Sequence, residues 1–287
     1  MRLRMSIAAA ALGGVVLFGT ATATRSPRPT PSWRHDPLWD DGRAEFCVYE
    51  VTWAHYGNRY PGRAILVTVK EPWAPELDVK ADRPRANGFD VLKFNHARDV
   101  VTGIYTYHQM ASAYVRRDDG TLRKCSATSS ELCGISTADM TGGVLRTRSY
   151  FDGQGDRSQA WPEGALPEDG LPIALRDYVG EPPPASLQMF PSLMAGRFER
   201  LAVRNMTVRR TKRDRVEVPA GTFAGVEIRL QDANGFLTYT FDAQPPHRLL
   251  EYRDGRGTEY RLAKSERLAY WERHTPGDEG WLPPELR

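Results

Sequence analysis

Apolar and polar residues alternate along segment after segment of the chain, with turn-forming residues between them. "EFCVYEVTW" (45–53) puts Cys47, Tyr49, Val51 and Trp53 on one face of an extended segment. "AILVTVKE" (64–71) aligns Ile65, Val67 and Val69, and "GFDVLKFNH" (88–96) sets Leu92 and Phe94 against Val91 and Lys93. "GIYTYHQMASAYVRR" (103–117) is a longer run of the same kind. It stops at "DDG" and is answered by "TLRKCS", which is a hairpin signature because Asp and Gly tolerate positive φ. Asn234-Gly235 and Asp254-Gly255 repeat that signature further on. "VRNMTVRRTK" is expected to end in a turn at Asp214-Arg215. In "VEVPAGTFAGVEIRL" (216–230), Pro219 presets the first corner of a turn and Gly221 is expected to supply the positive φ of a type II turn.

The middle of the chain breaks the alternation. Residues 158–197 contain seven prolines. Each removes an N–H and fixes φ, which excludes a continuous sheet there. Within this stretch "LPIALRDYVG" predicts a short helix with Leu171, Leu175 and Tyr178 on one side. The pattern as a whole predicts a mainly β protein, a curved antiparallel sheet or open half-barrel of about ten strands, with residues 158–197 as a partly helical crossover covering one face. One β-rich domain over 44–272 accounts for the alternation, and residues 273–287 read as a polar tail.

The N-terminus follows different rules. Arg2 and Arg4 precede an apolar or small run over 6–19, and Ala21-Thr22-Ala23 is a small-x-small site. That is the layout of a secretory signal peptide over residues 1–23, and the run is shorter than the ~20 residues a membrane span needs. The expected location is therefore exported, periplasmic or secreted, with no integral membrane span after cleavage. Residues 24–43 are rich in Pro and charge and read as an exposed leader. The net charge of +3 falls closer to zero without Arg2 and Arg4, so nothing electrostatic calls for nucleic acid. The basic run "VRRTKRDR" (208–215) is interrupted by Asp214 and followed by Glu217, and reads as a solvated hairpin face.

Of three cysteines, Cys125 and Cys133 are close enough in sequence to close a short loop in an oxidising compartment, and a disulfide between them is expected. Cys47 sits in an apolar alternation and reads as a buried small hydrophobe.

"VEVPAGTFAGVEIRL", together with "QPPHRLLEYRDGRGTEYRL", resembles an uncharacterised family of exported bacterial β-proteins, a domain of unknown function with a VPAGTF hairpin. Over residues 44–150 the likeness is looser and includes "KFNHARDVVTGIY". The resemblance implies a curved antiparallel sheet around a helical cover, distantly similar to the half-barrels of periplasmic lipoprotein carriers. It also implies an apolar or lipid-like ligand. No catalytic residue is carried over from it. The chain departs from that pattern in lacking a lipid-anchoring Cys and in its long Pro-rich middle.

No catalytic motif stands out. There is no G-x-S-x-G. The six histidines show no local metal-ligand spacing, although His96 and His108 would converge if their strands were neighbours, and no metal or cofactor is expected. Asp40, Asp41 and Glu45 group in "WDDGRAE". An envelope hydrolase built on Asp40, Glu45 and His96 is one alternative reading and would require all three in one cleft. A protein-interaction module working through a sheet edge is another. The aromatic supply is more suggestive: Tyr105, Tyr107, Tyr114, Phe236, Tyr239 and Phe241 sit on strands, and a concave face lined by them would hold an apolar ligand or pack the cover.

Overall fold

A computed structural model of the chain describes residues 32–198 and 201–284, so residues 1–23, read as a signal peptide, lie outside the described residues. The first strands are β1 (Ala44–His55), β2 (Asn58–Ala74), β3 (Val79–Lys80), β4 (Phe89–Thr102) and β5 (Tyr105–Arg116). Next come β6 (Leu122–Glu131), β7 (Gly134–Thr141), β8 (Val144–Arg148), β9 (Arg157–Ala160) and β10 (Leu166–Pro167). Two single-turn helices, α1 (Leu171–Ala174) and α2 (Asp177–Gly180), precede β11 (Ser186–Phe190). The remaining strands are β12 (Arg204–Val218), β13 (Gly221–Asp232), β14 (Gly235–Asp242), β15 (Leu249–Asp254) and β16 (Glu259–Leu268).

All belong to one sheet, ordered β10-β11-β12-β13-β14-β15-β16-β1-β2-β4-β5-β6-β7-β8-β9, with β3 paired beside β2. Every pairing is antiparallel except β10 with β11. The fold is therefore mainly β, as the alternation predicts, but with sixteen strands among the described residues rather than about ten. Among the described residues the sheet does not close through backbone pairing. It curls so that inward side chains from both edges, Met140 and Leu145 near one and Met189 and Met206 near the other, meet in a single core. The two edges are short, four residues in β9 and two in β10.

The Pro-rich segment covers the concave face, with Leu171, Ile173, Leu175, Phe190 and Leu193 buried in the common core. In place of one short helix it forms α1, α2 and 3-10 turns at 168–170 and 193–195. The turn expected at Asp214-Arg215 is instead a bulge inside the continuous β12: Arg213 pairs with Gly225 and Val216 with Phe223, so one extra residue is accommodated without reversing the chain. The hairpin at Pro219-Ala220 also differs in type. The positive φ, +136°, falls on Gly221, the first residue of the return strand, whereas a type II turn would place it on Ala220.

Residues 32–40 do not form the exposed leader the sequence suggests. Trp33 and Trp39 are 2% and 1% exposed and seal one end of the core. Trp39 Nε1 donates to the Trp33 carbonyl at 2.8 Å, and Trp33 Nε1 donates to Asp177 of α2 at 2.9 Å. The C-terminal segment is also engaged. Trp281 packs on Phe46 with ring centroids 5.2 Å apart, near a small apolar cluster of Ala44, Val67 and Val69 on the outer face. That outer cluster is what the alignment of Ile65, Val67 and Val69 anticipates.

The expected disulfide is absent: Cys47, Cys125 and Cys133 are free thiols. Cys125 is buried within β6 and Cys133 is exposed in the turn after it. The intervening residues are extended strand rather than a loop. At ~3.3 Å per residue this separates the two far beyond the roughly 7 Å that a disulfide can span.

Candidate functional site

The even-numbered residues of β4 and the odd-numbered residues of β5 point into the core, as the pleat requires. This parity sends not only Leu92, Phe94 and Val100 inward but also His96 and Arg98, and from β5 it sends Gln109. Where these polar residues enter, the core opens into a cavity of about 250 Å³. Its floor comes from β1, β2, β4 and β14–β16, including Trp53, Leu66, Tyr239, Leu249 and Tyr260. Its roof is the Pro-rich cover, including Glu168, Asp169, Pro172 and Met194. At its outer lip stand the half-buried His55 and the exposed Arg197 and Arg256.

The buried polar groups form a connected network. Arg98 donates from Nε to Gln109 Oε1 at 2.9 Å and from Nη1 to Tyr260 Oη at 3.1 Å, and its guanidinium lies 4.7 Å from the Trp53 ring centroid. Tyr260 Oη is 3.2 Å from His96 Nε2. Gln109 Nε2 donates to Ser129 Oγ at 3.1 Å and to the Met194 carbonyl of the cover at 2.6 Å. From the roof, Asp169 accepts from Ser192 Oγ at 2.7 Å and from the Leu193 amide at 2.6 Å, while Glu168 accepts from Tyr252 Oη at 3.1 Å. Two of these bonds, Gln109 to Met194 and Tyr252 to Glu168, tie the cover to the sheet, and those to Asp169 hold the cover together.

Burial dominates the titration of these groups. The His96 imidazole is pushed down to about 3 by desolvation, with Arg98 adding in the same direction, so it is neutral over the ordinary pH range. Desolvation raises the Asp169 carboxyl, and the hydrogen bonds from Ser192 and the Leu193 amide, with the charge of Arg98 behind them, oppose this without reversing it. Glu168 is raised by desolvation and by the neighbouring Asp169. Arg98 itself is 9% exposed and has no carboxylate within 4.0 Å among the described residues. Buried cations are ordinarily paired with an anion; the direct contacts of this one are neutral acceptors and an aromatic face, and Asp169 acts on it only across the cavity.

The six aromatic candidates divide by parity. Tyr239 lines the cavity. Phe241 is fully buried in the core beside it, with ring centroids 6.4 Å apart. Tyr107 is buried next to the lip, edge-on to Trp53 at 5.0 Å, and Tyr105 stacks beyond it at 6.4 Å. Tyr114 and Phe236 point to the opposite face, Tyr114 against Trp73 at 4.8 Å and Phe236 beneath the Arg229 guanidinium at 3.8 Å.

The carboxylate–histidine set does not assemble in one cleft. Asp40 is at the surface, where hydrogen bonds from Arg117 and Lys70 hold its carboxyl well below the usual range. Glu45 is buried and accepts from Arg176 at 2.7 Å. His96 alone of the three lines the cavity. His96 and His108 lie on paired strands, but β5 turns His108 outward to Asp99 at 2.8 Å. Among the described residues no group of three or more His, Cys, Asp or Glu side chains is placed to hold a metal ion. In the basic run, Arg210 is used structurally, donating to the Tyr178 carbonyl at 3.0 Å, and Arg213 and Arg215 pair with Glu227 and Glu217. The residues the sequence reading missed, Arg98 and Gln109, carried one signal: each shares the parity of the apolar face of its strand.

Among solved structures, the chain is similar to a β-barrel-like protein of a domain of unknown function (DUF1849) from Brucella abortus. The identity is 11% and the TM-score 0.45, over 78% of this chain and 98% of that one. No family model matches the chain, and no curated protein matches it. Among the described residues no helix is long and apolar enough to cross a membrane.

Proposed function

We propose that this is an exported cell-envelope binding protein whose interior cavity holds a small lipid-like ligand with an anionic head and an apolar body. The observation that carries the reading is Arg98, a buried guanidinium at the cavity with no carboxylate within 4.0 Å among the described residues, although Glu168 and Asp169 line the cavity's roof. A ligand carboxylate would supply the missing anion, hydrogen-bonded by Arg98 and by Tyr260 Oη, and the neutral His96 would not compete for it. Trp53, Leu66, Tyr239 and Leu249 would cover the apolar part. A volume of about 250 Å³ lies just below the usual range of roughly 300–1,000 Å³ for ligand sites, which favours a short chain over a complete phospholipid. The residue 1–23 pattern and the resemblance carried by the VPAGTF hairpin support an exported carrier.

Calorimetric titration with decanoate and with 1-decanol tests this. Decanoate is expected to bind at least about tenfold tighter than the alcohol, a preference erased by Arg98→Met, since a hydrogen bond to a charged group contributes about 1.5–3 kcal/mol. Equal affinity for acid and alcohol, or a preference unchanged in Arg98→Met, would overturn the reading.

A further inference from the structure

The strands that bear the cavity lip end in hairpin tips whose side chains are unusual for a soluble surface. The β1–β2 tip presents Tyr56, 67% exposed; the β4–β5 tip presents Ile104, 88% exposed; and the β6–β7 tip presents Leu132, 72% exposed, with Ile135 beside it. Val101 and Tyr150 extend the same rim. The register places all three tips at one end of the sheet: Val51 pairs with Gly62, Gly62 with Val100, and His108 with Ser130. The tips are also joined laterally. Tyr56 and Tyr107 share a hydrogen bond of 2.8 Å, and Tyr105 Oη lies 2.8 Å from Cys133 Sγ.

Local sequence makes this exposure unavoidable. Gly103 adopts φ +65° at the first corner of a two-residue β4–β5 turn, which leaves Ile104 at the second corner with nowhere to bury. A charged or small residue would serve that turn equally well. Cationic side chains flank the apolar rim. Arg59 is exposed on the β1–β2 hairpin with no carboxylate within 4.0 Å among the described residues, and Arg197 and Arg256 stand at the cavity lip, Arg256 paired with Asp254 at 3.0 Å but with its side chain still exposed. Exposed apolar tips beside arginines suit an interface with acyl chains on one side and anionic headgroups on the other.

We propose that this end of the molecule docks on the surface of an anionic lipid bilayer, inserting the tips at Tyr56, Ile104 and Leu132, so that the cavity lip faces the lipid. This goes beyond the cavity reading, which would stand if docking failed. It gives an amphiphile a path from bilayer to cavity without passage through water.

Cys133 makes the test direct, because it is the exposed cysteine next to Leu132 while Cys47 and Cys125 are buried. A polarity-sensitive fluorophore on Cys133 of the full chain is mixed with vesicles of phosphatidylglycerol and phosphatidylcholine, or of phosphatidylcholine alone. The expected result is a blue shift with the anionic vesicles, quenching by a bilayer-embedded quencher, and a weaker response with phosphatidylcholine. In unlabelled full chain, Ile104→Ser with Leu132→Ser is expected to reduce co-sedimentation with the anionic vesicles at least about tenfold, since two apolar side chains leave the bilayer. Three results would overturn the proposal: co-sedimentation with the label still in water, no association at all, or a vesicle-independent blue shift that grows with protein concentration and marks a contact between copies.

Discussion

At the end of the sheet near Ala44 and Leu268, Trp33 and Trp39 plug the core and each buried charge has a partner. Arg176 donates to Glu45 at 2.7 Å and to the Pro246 carbonyl at 3.2 Å, with the Trp33 ring 5.4 Å from its guanidinium, and Arg34 pairs with Asp177. At the other end the core is hollow, the lip exposes apolar tips, and Arg98 is buried without a carboxylate. Both ends hold a buried arginine beside a tryptophan. The difference lies in the anion: the chain sets Glu45 directly against Arg176 at the sealed end, and among the described residues it sets no carboxylate within 4.0 Å of Arg98 at the hollow one. Electrostatic completeness, more than polarity, separates a structural charge from a candidate binding charge here.

The sharpest test of that contrast is at the sealed end. Trp33→Ala is expected to cost about 3–5 kcal/mol by urea unfolding, because it empties a buried aromatic site. A cost under about 1 kcal/mol would mean that residues 32–40 are not part of the core. Arg176→Ala should cost nearly as much, about 3–5 kcal/mol, by leaving Glu45 buried and uncompensated, and Arg176→Met with Glu45→Leu should recover most of the loss.

The hollow end should respond through pH. Unfolded His96 takes up a proton near pH 6.5 and the folded form only near 3. Between those values the unfolded chain binds more protons, so this residue makes the fold less stable as the pH drops. Glu168 and Asp169, whose carboxyls are raised, act in the opposite sense, so a comparison with a variant isolates the histidine. His96→Leu should gain on wild type by about 2–3 kcal/mol between pH 6.5 and 4, at roughly 1.4 kcal/mol per pH unit. A difference that does not vary with pH would show that the imidazole is not held neutral.

Smaller effects complete the comparison. Without ligand, Arg98→Met should stay within about 1.5 kcal/mol of wild type, because relief of an uncompensated charge offsets the hydrogen bonds lost to Gln109 and Tyr260. A loss as large as that of Arg176→Ala would make Arg98 a structural residue. Ile104→Ser should change stability by no more than about 0.5 kcal/mol in the same assay, as expected of a tip that supports nothing in the fold.

How far the sequence alone reaches depends on the residues concerned. Cys47, Tyr49, Val51 and Trp53 share a buried face because alternation over nine residues has one structural solution, and all four are core. The strands containing "SATSS" and "ISTADM" were illegible because Ser, Thr and Ala carry little periodic contrast, and pairing with neighbours decides their state. Asp214-Arg215 read as a turn because one extra residue in a bulge and the corner of a hairpin use the same residue types. The cavity is half legible: Tyr239 follows from strand pattern, whereas nothing in "KFNHARDVV" marks Arg98 out from the other polar residues. Its parity with Leu92 and Phe94 was visible, but the lack of an anion beside it is a property of the folded chain alone.

The most direct measurement is the carbon NMR signal of decanoate labelled at its carboxyl and bound to the wild-type protein. The account predicts that the bound carboxylate resists protonation well below its free titration range, with cross-relaxation to the rings of Tyr260 and Trp53, and that Arg98→Met abolishes both. A bound carboxyl that titrates like the free acid, or that shows no contact with those rings, would contradict it.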